Sequence, residues 1–587
     1  MFPSKLLVAL FALASSPAIS QFVPRPTDLT RKVGHAGVPV RYKQVETGVC
    51  EQNPGVKSFS GYADVQDNEH IFFWFFEARN GDPKEAPLTV WINGGPGSSS
   101  MIGLFQELGP CGVDINGEVV DNPYSWSNAS NLLFIDQPTT TGFSYGEPVP
   151  AYVNPNSSSI VVLPDESCPD YAQAYGTCGT YSRPVTTLTA NSTQSAAPNF
   201  WRTLQGFMGA FPEYSRKGFN LATESYGGHY GPTFGAYIEE QNAKKIKGAI
   251  DIKLETVLIG NGWFDPLLQY QAYYNFTVSP GNTYDYKPYS PSQEAELHNA
   301  LYGPGNCVDQ VKECYAHGLD EVCKAADDFC AANIESPLDN IANRDEYDIR
   351  ELSPDPFPYS FYVDYLNTPR VQAAIGAFQN FSESSPTVGA AFGATGDDSR
   401  QSGTIKNVRR LLQSGVNVVL YAGDADYNCN WLGVEAVAEG VNHDGFSDAG
   451  YADLKTSDGI VHGQVKQSGQ FSFVRVYESG HEVPFYQPLA ALELFERAIG
   501  GKDLATGVER IGEGSKYRTK GPAKSLYRNG NSTVQFEPLD PGSTYNTTTN
   551  GPNAHPAKGS GEAKSGTSTA KVQRFGFRRP ASRRMRA

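Results

Sequence analysis

The sequence predicts an α/β fold with a mostly parallel central sheet, helices on its faces and an inserted cap region. Short apolar runs rich in β-branched residues alternate with helical segments along the 587 residues, a pattern typical of such sheets. With 39% hydrophobic residues the chain can bury a large core. The predicted strands are residues 72–76, 88–91, 132–135, 219–222, 256–259, 416–421 and 473–476.

Residues 221–229, Leu-Ala-Thr-Glu-Ser-Tyr-Gly-Gly-His, predict a sharp turn from a strand into a helix expected over 233–242. This is the pattern of a nucleophile elbow, which pushes a serine hydroxyl clear of the backbone and tolerates only small neighbours. Gly227 supplies such a neighbour, whereas Thr223 replaces the first glycine of G-x-S-x-G. Ser225 is therefore a candidate nucleophile, and a serine in an ordinary turn is the alternative.

Two later strand ends carry candidates for an acid and a base. The run 416–421 is followed by Ala-Gly-Asp-Ala-Asp, which places Asp424 just past the strand, with Asp426 as a rival for the same role. The run 471–476 leads into a loop that contains His481. Functional groups of open α/β sheets gather at the carboxyl ends of their strands.

The order Ser, Asp, His is that of the α/β-hydrolase fold. We therefore predict a triad of Ser225, Asp424 and His481, in which His481 accepts the serine proton and Asp424 orients the imidazole. A turn cap at Asp424 and a surface loop position for His481 are the alternatives. A strand that runs into the glycine-rich loop 93–97 could supply backbone amides for an oxyanion hole.

Several segments of the chain together resemble the serine carboxypeptidase family. The match spans roughly residues 40–505, and the family tolerates threonine at the position of Thr223. The segments are 91–99 (Trp-Ile-Asn-Gly-Gly-Pro-Gly-Ser-Ser), 224–228 (Glu-Ser-Tyr-Gly-Gly), 260–263 (Gly-Asn-Gly-Trp), 265–266 (Asp-Pro), 429–433 (Cys-Asn-Trp-Leu-Gly) and 480–484 (Gly-His-Glu-Val-Pro).

The resemblance implies roles for further residues around Ser225. The oxyanion hole would consist of the amides of Gly95 and Tyr226. A second group would bind the free C-terminal carboxylate of a peptide substrate, with Glu107 paired to Glu224. That group is Asn93, Gly94, Glu224, Glu107 and Trp91.

The paired carboxyls have a consequence that does not depend on the resemblance. Two carboxyl groups in contact cannot both ionise easily, so the pKa of one rises. A protonated carboxyl can donate a hydrogen bond to a substrate carboxylate, whereas an ionised one repels it. Acid pH should therefore favour peptide binding. Without the resemblance, solvated surface acids would be the simpler interpretation of Glu107 and Glu224.

Nine cysteines in an exported chain indicate disulfides with one thiol left over. A metal site built from the clustered cysteines is the alternative, but export and the lack of paired Cys-x-x-Cys motifs argue against it. The nested pattern of the family implies Cys307–Cys330 around Cys314–Cys323. Among the remaining cysteines, Cys168–Cys178 and Cys50–Cys111 are then expected by elimination, which leaves Cys429 as the free thiol.

The amino terminus predicts export. Residues 1–20 contain Lys5, an apolar run and a small-residue cleavage site, which is the pattern of a signal peptide. No segment is long enough to span a membrane, and a lipid anchor is disfavoured because the carboxyl terminus has no hydrophobic run. We expect an extracellular glycoprotein with Asn-x-Ser/Thr sites at Asn128, Asn156, Asn191, Asn275, Asn380, Asn531 and Asn546.

The chain divides into a hydrolase domain over 21–505 and a tail over 506–587. Within the domain, residues 265–407 interrupt the strand pattern and are interpreted as a cap over the cleft, and 145–195 form a second excursion. The tail is rich in Gly, Ser, Thr, Asn and Lys, and its last eighteen residues are basic. Such a composition predicts disorder.

These observations predict a secreted serine carboxypeptidase that releases C-terminal residues from peptides and proteins at acid pH. The net charge of −16 argues against nucleic-acid partners. The same acidity, with Glu482 and Asp426 near the triad, is compatible with a preference for basic residues. No cofactor or metal is expected. An acyltransferase or esterase of the same fold and a non-catalytic binding protein are the alternatives.

Overall fold

One twelve-stranded sheet organises the computed structural model, which describes residues 22–154, 157–173, 178–353, 358–401, 403–536, 545–546 and 551–552. The remaining strands form three small sheets. The strands are β1 Thr30–Val33, β2 Pro39–Val45, β3 Ser58–Gln66, β4 Glu69–Phe76, β5 Leu88–Ile92, β6 Cys111–Val113, β7 Val119–Asp121, β8 Asn131–Ile135, β9 Pro148–Val153, β10 Ile160–Val162, β11 Cys178–Ser182, β12 Phe219–Glu224, β13 Leu254–Gly260, β14 Asn417–Gly423, β15 Ala452–Lys455, β16 Val461–Ser468, β17 Phe471–Val476, β18 Tyr545–Asn546 and β19 Gly551–Pro552.

The large sheet is mixed, and the prediction of a mostly parallel sheet holds only for its centre. All seven predicted strands are present, and six of them pair in parallel in the order β8-β5-β12-β13-β14-β17. Both edges are antiparallel because short connections join successive strands there, and such connections cannot join parallel strands. The full order is β1-β2-β3-β4-β8-β5-β12-β13-β14-β17-β16-β15.

Helices cover both faces of the sheet. Alternate side chains of a central strand enter different apolar clusters: Val90 belongs to one and Trp91 to the other, as expected from the two-residue period of a strand. The α-helices are α1 Asp170–Gln173, α2 Thr193–Ala210, α3 Gly227–Lys244, α4 Pro266–Thr277, α5 Pro291–Tyr302, α6 Cys307–His317, α7 Asp320–Cys330, α8 Pro337–Ala342, α9 Phe361–Leu366, α10 Pro369–Ile375, α11 Pro386–Thr395, α12 Thr404–Gln413, α13 Trp431–Gly440, α14 Val483–Tyr486 and α15 Pro488–Ile499.

The interruption predicted over 265–407 is helical. It begins at Asp265, whose carboxylate caps α4 by accepting a hydrogen bond from the Leu268 amide at 3.1 Å, and it continues through α11. The next helix, α12, packs against α3 and β14 and so belongs to the helical layer of the sheet. The second excursion contains the small sheet β10-β9-β11.

Eight cysteines form disulfides, in the two nested pairs that the resemblance implies and the two pairs expected by elimination. Two of these bridges tie α6 to α7, and Cys429 is a buried free thiol. The pairs are Cys50–Cys111, Cys168–Cys178, Cys307–Cys330 and Cys314–Cys323.

The predicted glycosylation sites differ in exposure. Asn191, Asn275 and Asn531 are exposed, and Asn128 is half-buried. Asn380 is buried and bridges the Thr180 amide and Asn367 through its side chain, so the prediction of a glycan there is wrong for the folded chain. Asn156 lies outside the described residues, and the side chain of Asn546, in β18, is not described.

The predictions for the two ends of the chain, a signal peptide and a disordered tail, have different outcomes. The predicted signal peptide lies outside the described residues. The disorder predicted from residue 506 is wrong as far as residue 536: the Thr519 amide donates to the Gln467 carbonyl at 3.0 Å, and the Tyr451 amide to the Pro522 carbonyl at 2.8 Å. These backbone contacts fasten a polar segment without burying much apolar surface. No helix among the described residues is long and apolar enough to cross a membrane.

Candidate active site

Ser225 lies between β12 and α3, at the turn that the sequence predicts. Its backbone φ is +63°, a left-handed conformation that costs energy for a residue with a side chain. The surrounding chain holds this conformation, because the Ser225 amide donates to the Gly260 carbonyl at 3.1 Å and the Trp263 amide donates to the Ser225 carbonyl at 2.8 Å. A Cβ on Gly228 would lie 2.4 Å from the Trp263 carbonyl oxygen, so only glycine fits there.

The acid beside His481 is Asp426, and the prediction of Asp424 for this position is wrong. Asp426 Oδ2 lies 2.8 Å from His481 Nδ1. The same oxygen accepts hydrogen bonds from Asn261 Nδ2 at 2.7 Å and from the Cys429 amide at 3.2 Å. These three donors hold the carboxylate in place against the imidazole.

Asp424 instead forms hydrogen bonds with residues around the end of β17. Its amide prolongs the pairing of β14 with β17 by donating to the Val476 carbonyl, and this turns its side chain away from His481. The carboxylate accepts hydrogen bonds from the Tyr284 hydroxyl at 2.7 Å and the Glu478 amide at 2.9 Å, and lies 3.5 Å from the Arg475 guanidinium. The sequence contains both aspartates as candidates. Only the folded sheet shows that the pairing of β14 with β17 includes the Asp424 backbone and ends before Asp426.

A loop of the insertion, residues 344–352, holds both members of the Asp426–His481 pair. The Tyr347 carbonyl accepts the His481 amide at 2.9 Å, and the Tyr347 ring packs on the imidazole with centroids 4.9 Å apart. On one side of Asp426, the Ile349 amide donates to the Ala425 carbonyl at 2.8 Å. On the other side, the amides of Tyr427 and Asn428 donate to the Glu346 carbonyl at 3.0 and 2.9 Å. No sequence signal pointed to this loop, which we call the clamp loop.

The glycine-rich loop approaches Ser225 as the sequence predicts. A Cβ on Gly94 would lie 2.4 Å from the Tyr226 amide nitrogen and 2.9 Å from the Ser225 Cβ, so the two backbones are in contact. Gly95 has a φ of +108°, which favours glycine. This close approach brings the backbone of residues 94–95 to the amide of Tyr226.

The ring of Tyr226 is held by a residue that the sequence analysis missed. The hydroxyl donates to Asp397 Oδ2 at 2.5 Å, and the same oxygen accepts the Thr193 amide at 2.8 Å and its hydroxyl at 2.7 Å. Asp397 therefore joins the start of α2 to the residue that follows Ser225. An acidic residue 171 positions away in sequence gives no local sign of this contact.

Three buried side chains lie next to the elbow as the resemblance implies. Asn93 Nδ2 is 3.3 Å from an oxygen of Glu107 and 3.3 Å from an oxygen of Glu224. Asn93 Oδ1 accepts hydrogen bonds from Trp91 Nε1 at 2.7 Å and from the Gly103 amide at 3.0 Å. These two donors fix the amide so that its NH2 group faces both carboxyls.

The surroundings of the two carboxyls favour their neutral forms. Burial raises the pKa of Glu107, with hydrogen bonds from Glu224 and Asn93 acting in the opposite direction. Burial raises the pKa of Glu224 well above its usual value, and the negative charge of Glu107 raises it further. The remaining oxygens, Glu107 Oε2 and Glu224 Oε2, have no hydrogen-bond partner among the described residues. The pair can therefore donate as well as accept.

Trp91 packs next to Asn93 and holds its side-chain amide. Its side chain is buried and is committed to Asn93, with its ring edge-on to Trp126 at 5.7 Å between centroids. This position makes it a support for Asn93. Its indole N–H is engaged by Asn93 Oδ1, and a contact with a substrate carboxylate stays a prediction.

An acidic cavity lies between the insertion and the elbow. Its walls include the carboxyls of Asp327, Glu335 and Asp398 and the side chains of Asn428 and Trp263. Trp263 is the residue whose amide holds Ser225, and Asn428 precedes Cys429 in the loop of Asp426. The cavity has a volume of about 10 Å³, which is room for a single water molecule.

The buried thiol of Cys429 shares the neighbourhood of the acid–base pair. Ligand atoms of Asp426, Cys429 and His481 lie within 4.8 Å of one another. Burial raises the pKa of Cys429 well above its usual value, and the charge of Asp426 adds to this effect.

Comparisons with known proteins identify the family. The family model "Serine carboxypeptidase" matches residues 48–501. The chain belongs to the serine carboxypeptidase family. It is a serine-type carboxypeptidase, for which the family implies peptide substrates.

Relatives of known name and structure cover most of the chain. Carboxypeptidase S1 homolog B of Arthroderma otae is 38% identical over 89% of this chain and 86% of its own length. Carboxypeptidase S1 of Penicillium janthinellum is 39% identical over 78% of this chain and 99% of its own length. Kex1Δp, a prohormone-processing carboxypeptidase from Saccharomyces cerevisiae, is a structural neighbour with a TM-score of 0.62 and 25% identity, over 78% of this chain and 95% of the neighbour.

Proposed function

We propose that the chain hydrolyses the last peptide bond of substrates with a free C-terminus, using Ser225, His481 and Asp426. His481 accepts the proton of the Ser225 hydroxyl, which attacks the scissile carbonyl. Asp426 orients the imidazole and stabilises its protonated form. The amides of Gly95 and Tyr226 stabilise the oxyanion, where a donor of this kind contributes about 3–4 kcal/mol.

The reaction then completes in two balanced steps. His481 returns its proton to the nitrogen of the departing amino acid, and the shortened peptide remains as an ester on Ser225. Water attacks this ester, with His481 again accepting a proton. The peptide leaves with a new C-terminal carboxylate, and Ser225 regains its hydrogen.

The observation that carries the exopeptidase proposal is the group of Asn93, Glu107 and Glu224 beside the elbow. Two long hydrogen bonds of its NH2 group can be exchanged for bonds to a substrate carboxylate, and a carboxyl that keeps its proton supplies a further donor. A free carboxylate is the group that distinguishes a chain end from an internal peptide bond. An endopeptidase has no use for such donors next to its nucleophile. The raised pKa of both carboxyls supports activity at acid pH.

A direct test uses two peptides that differ only in a free or amidated C-terminus. We expect single residues to be released from the peptide with a free C-terminus at pH 5, and mass spectrometry detects this release. The peptide with an amidated C-terminus should be cleaved much more slowly. Ser225→Ala should remove activity by at least about 10⁴-fold without unfolding the protein. A Ser225→Ala protein that keeps a tenth of the turnover would contradict the proposal.

The acidity of the chain supports the finer proposal of a preference for basic residues. Glu482 follows His481 directly, and its charge acts on Glu224, so it favours a cationic side chain over a neutral one near the triad. We expect Glu482→Gln to reduce kcat/KM about tenfold for peptides with Lys or Arg in the last two positions, relative to Leu. Glu321→Gln, an exposed acid of α7, is the matched control, and an equal effect of Glu482→Gln on Leu peptides would contradict the assignment.

Export is part of the same proposal. The signal-like residues 1–20, four disulfides and exposed acceptor asparagines all suit an oxidising, extracellular environment. Mature protein recovered from the culture medium should begin near residue 21 and lose mass on enzymatic deglycosylation. Retention of residues 1–20 or of the chain inside the cell would contradict it.

A further inference from the structure

A segment near the carboxyl end, residues 524–536, crosses the surface beyond the part of the chain that the family model matches, which ends at residue 501. We call it the strap. Arg475 in β17 anchors its first half, donating to Ser525 Oγ at 2.7 Å and to the Tyr527 carbonyl at 3.0 Å. The Tyr527 ring stacks on Tyr477 with centroids 3.8 Å apart. The strap is thus fastened to the strand that leads to His481.

The second half of the strap is bonded to the clamp loop. The Gln535 amide donates to the Arg350 carbonyl at 2.7 Å, and Gln535 Oε1 accepts the Leu352 amide at 2.9 Å. Phe536 lies beside Arg344, with 5.6 Å between the centroid of the phenyl ring and the guanidinium carbon. One residue of the strap therefore satisfies two backbone groups of the loop that holds Asp426 and His481.

We propose that the strap is a positioning element for the Asp426–His481 pair and acts through the clamp loop. The hydrogen bonds described above join the strap to β17 and to the clamp loop, and Asp426 and His481 are not among their partners. It restrains residues 350–352, and the same loop bonds the backbone on both sides of Asp426 and the amide of His481. Loosening the strap should therefore widen the distribution of distances between Asp426 and His481 and lower kcat, while the carboxylate-binding group is untouched.

This inference rests on the proposed function, and a double-mutant cycle separates the two. Gln535→Ala removes the acceptor for the Leu352 amide and leaves the backbone bond to Arg350. Gln535→Glu keeps an acceptor oxygen, and Ser532→Ala alters an exposed side chain of the same segment. Each is measured alone and with Asp426→Asn, using full-length protein, a free-acid peptide at pH 5 and active-site titration with a fluorophosphonate.

We expect Gln535→Ala to lower kcat about fivefold with KM within about twofold of wild type, and both controls to stay within about twofold. In the Asp426→Asn background the same substitution should change kcat by less than about 1.5-fold, because the interaction it supports is already lost. An equal loss in both backgrounds, or a change confined to KM, would overturn the role of the strap. An Asp426→Asn enzyme of near wild-type activity would instead refute the triad assignment.

If Gln535→Ala does not yield folded protein, Phe536→Ala takes its place in the cycle. Its ring is 49% exposed, so its removal leaves little buried space. The expected loss of kcat is smaller, about twofold, and should again vanish with Asp426→Asn. A loss that persists in that background would count against the inference.

Discussion

Two groups of buried carboxyls flank Ser225, and they differ in how many donors they receive. Asp426 Oδ2 accepts from His481, Asn261 and the Cys429 amide. Glu107 and Glu224 share the NH2 group of Asn93, with 3.3 Å to each. Several donors to one oxygen stabilise an ionised carboxylate, whereas two carboxyls with a shared donor keep a proton. Asp426 is thus suited to stabilise a protonated imidazole, whereas the Glu107–Glu224 pair is suited to donate a hydrogen bond to a substrate carboxylate.

The largest expected effect separates the two aspartates that follow β14. Asp426→Asn should lower kcat about 10³–10⁴-fold, because an amide beside His481 Nδ1 favours the wrong tautomer. Asp424→Asn should cost no more than about tenfold, since Asp424 is bonded to Tyr284 and Glu478 and not to His481. Steady-state kinetics with active-site titration compares them, and equal losses would remove the distinction.

The carboxylate-binding side is tested by Asn93→Ala. Loss of a donor to a charged group costs about 1.5–3 kcal/mol, so kcat/KM for a free-acid peptide should fall roughly 10- to 100-fold. The matched peptide amide, measured on the same variant, should change by less than about threefold. If both substrates lose equally, Asn93 supports the backbone of the glycine-rich loop and does not read the chain end.

Stability should respond to pH with the sign set by the protonated acids. Burial raises the pKa of Asp136 to about 6, against hydrogen bonds from Ser99, Phe143 and Ser100, and it raises the pKa of Glu107 and Glu224. Between about pH 4 and these raised values the folded chain holds more protons than the unfolded chain, so stability falls as pH rises.

Thermal unfolding should therefore show a Tm higher at pH 5 than at pH 7.5, by roughly 5 °C. Asp136→Asn, which cannot ionise, should reduce this difference. A Tm that rises between pH 5 and 7.5 would contradict the assignment of buried, protonated carboxyls.

The sequence predicted the elements with a local pattern and missed those that depend on distant contacts. Seven central strands, the serine turn and the position of His481 are each marked by a few adjacent residues. The antiparallel edges β1–β3 and β15–β16 have polar faces and shorter apolar patterns, so the mixed character of the sheet was missed. The choice between Asp424 and Asp426 depends on where the pairing of β14 with β17 ends. Asp397 and the clamp loop act across long sequence separations.

The tail shows that amino-acid composition alone does not predict which segments are ordered. Residues 506–536 are polar and contain several glycines, which predicts disorder. The folded chain nevertheless fixes them through backbone hydrogen bonds and through Arg475, a cation buried inside β17 that needs their carbonyl and hydroxyl oxygens. A buried charge in one element can therefore order a segment that has little apolar surface of its own.

The measurement that tests the central claim most directly is a pair of pH profiles on one enzyme preparation. The substrates are a peptide with a free C-terminus and an ester that has no free carboxylate. Both need His481 as a neutral imidazole, the form that can act as a base, so they share this requirement. Only the peptide should also lose kcat/KM as pH rises through the raised pKa of the Glu107–Glu224 pair. We predict a peptidase maximum in acid and esterase activity that extends to neutral pH. Coincident profiles would contradict recognition of the chain end by a protonated carboxyl pair.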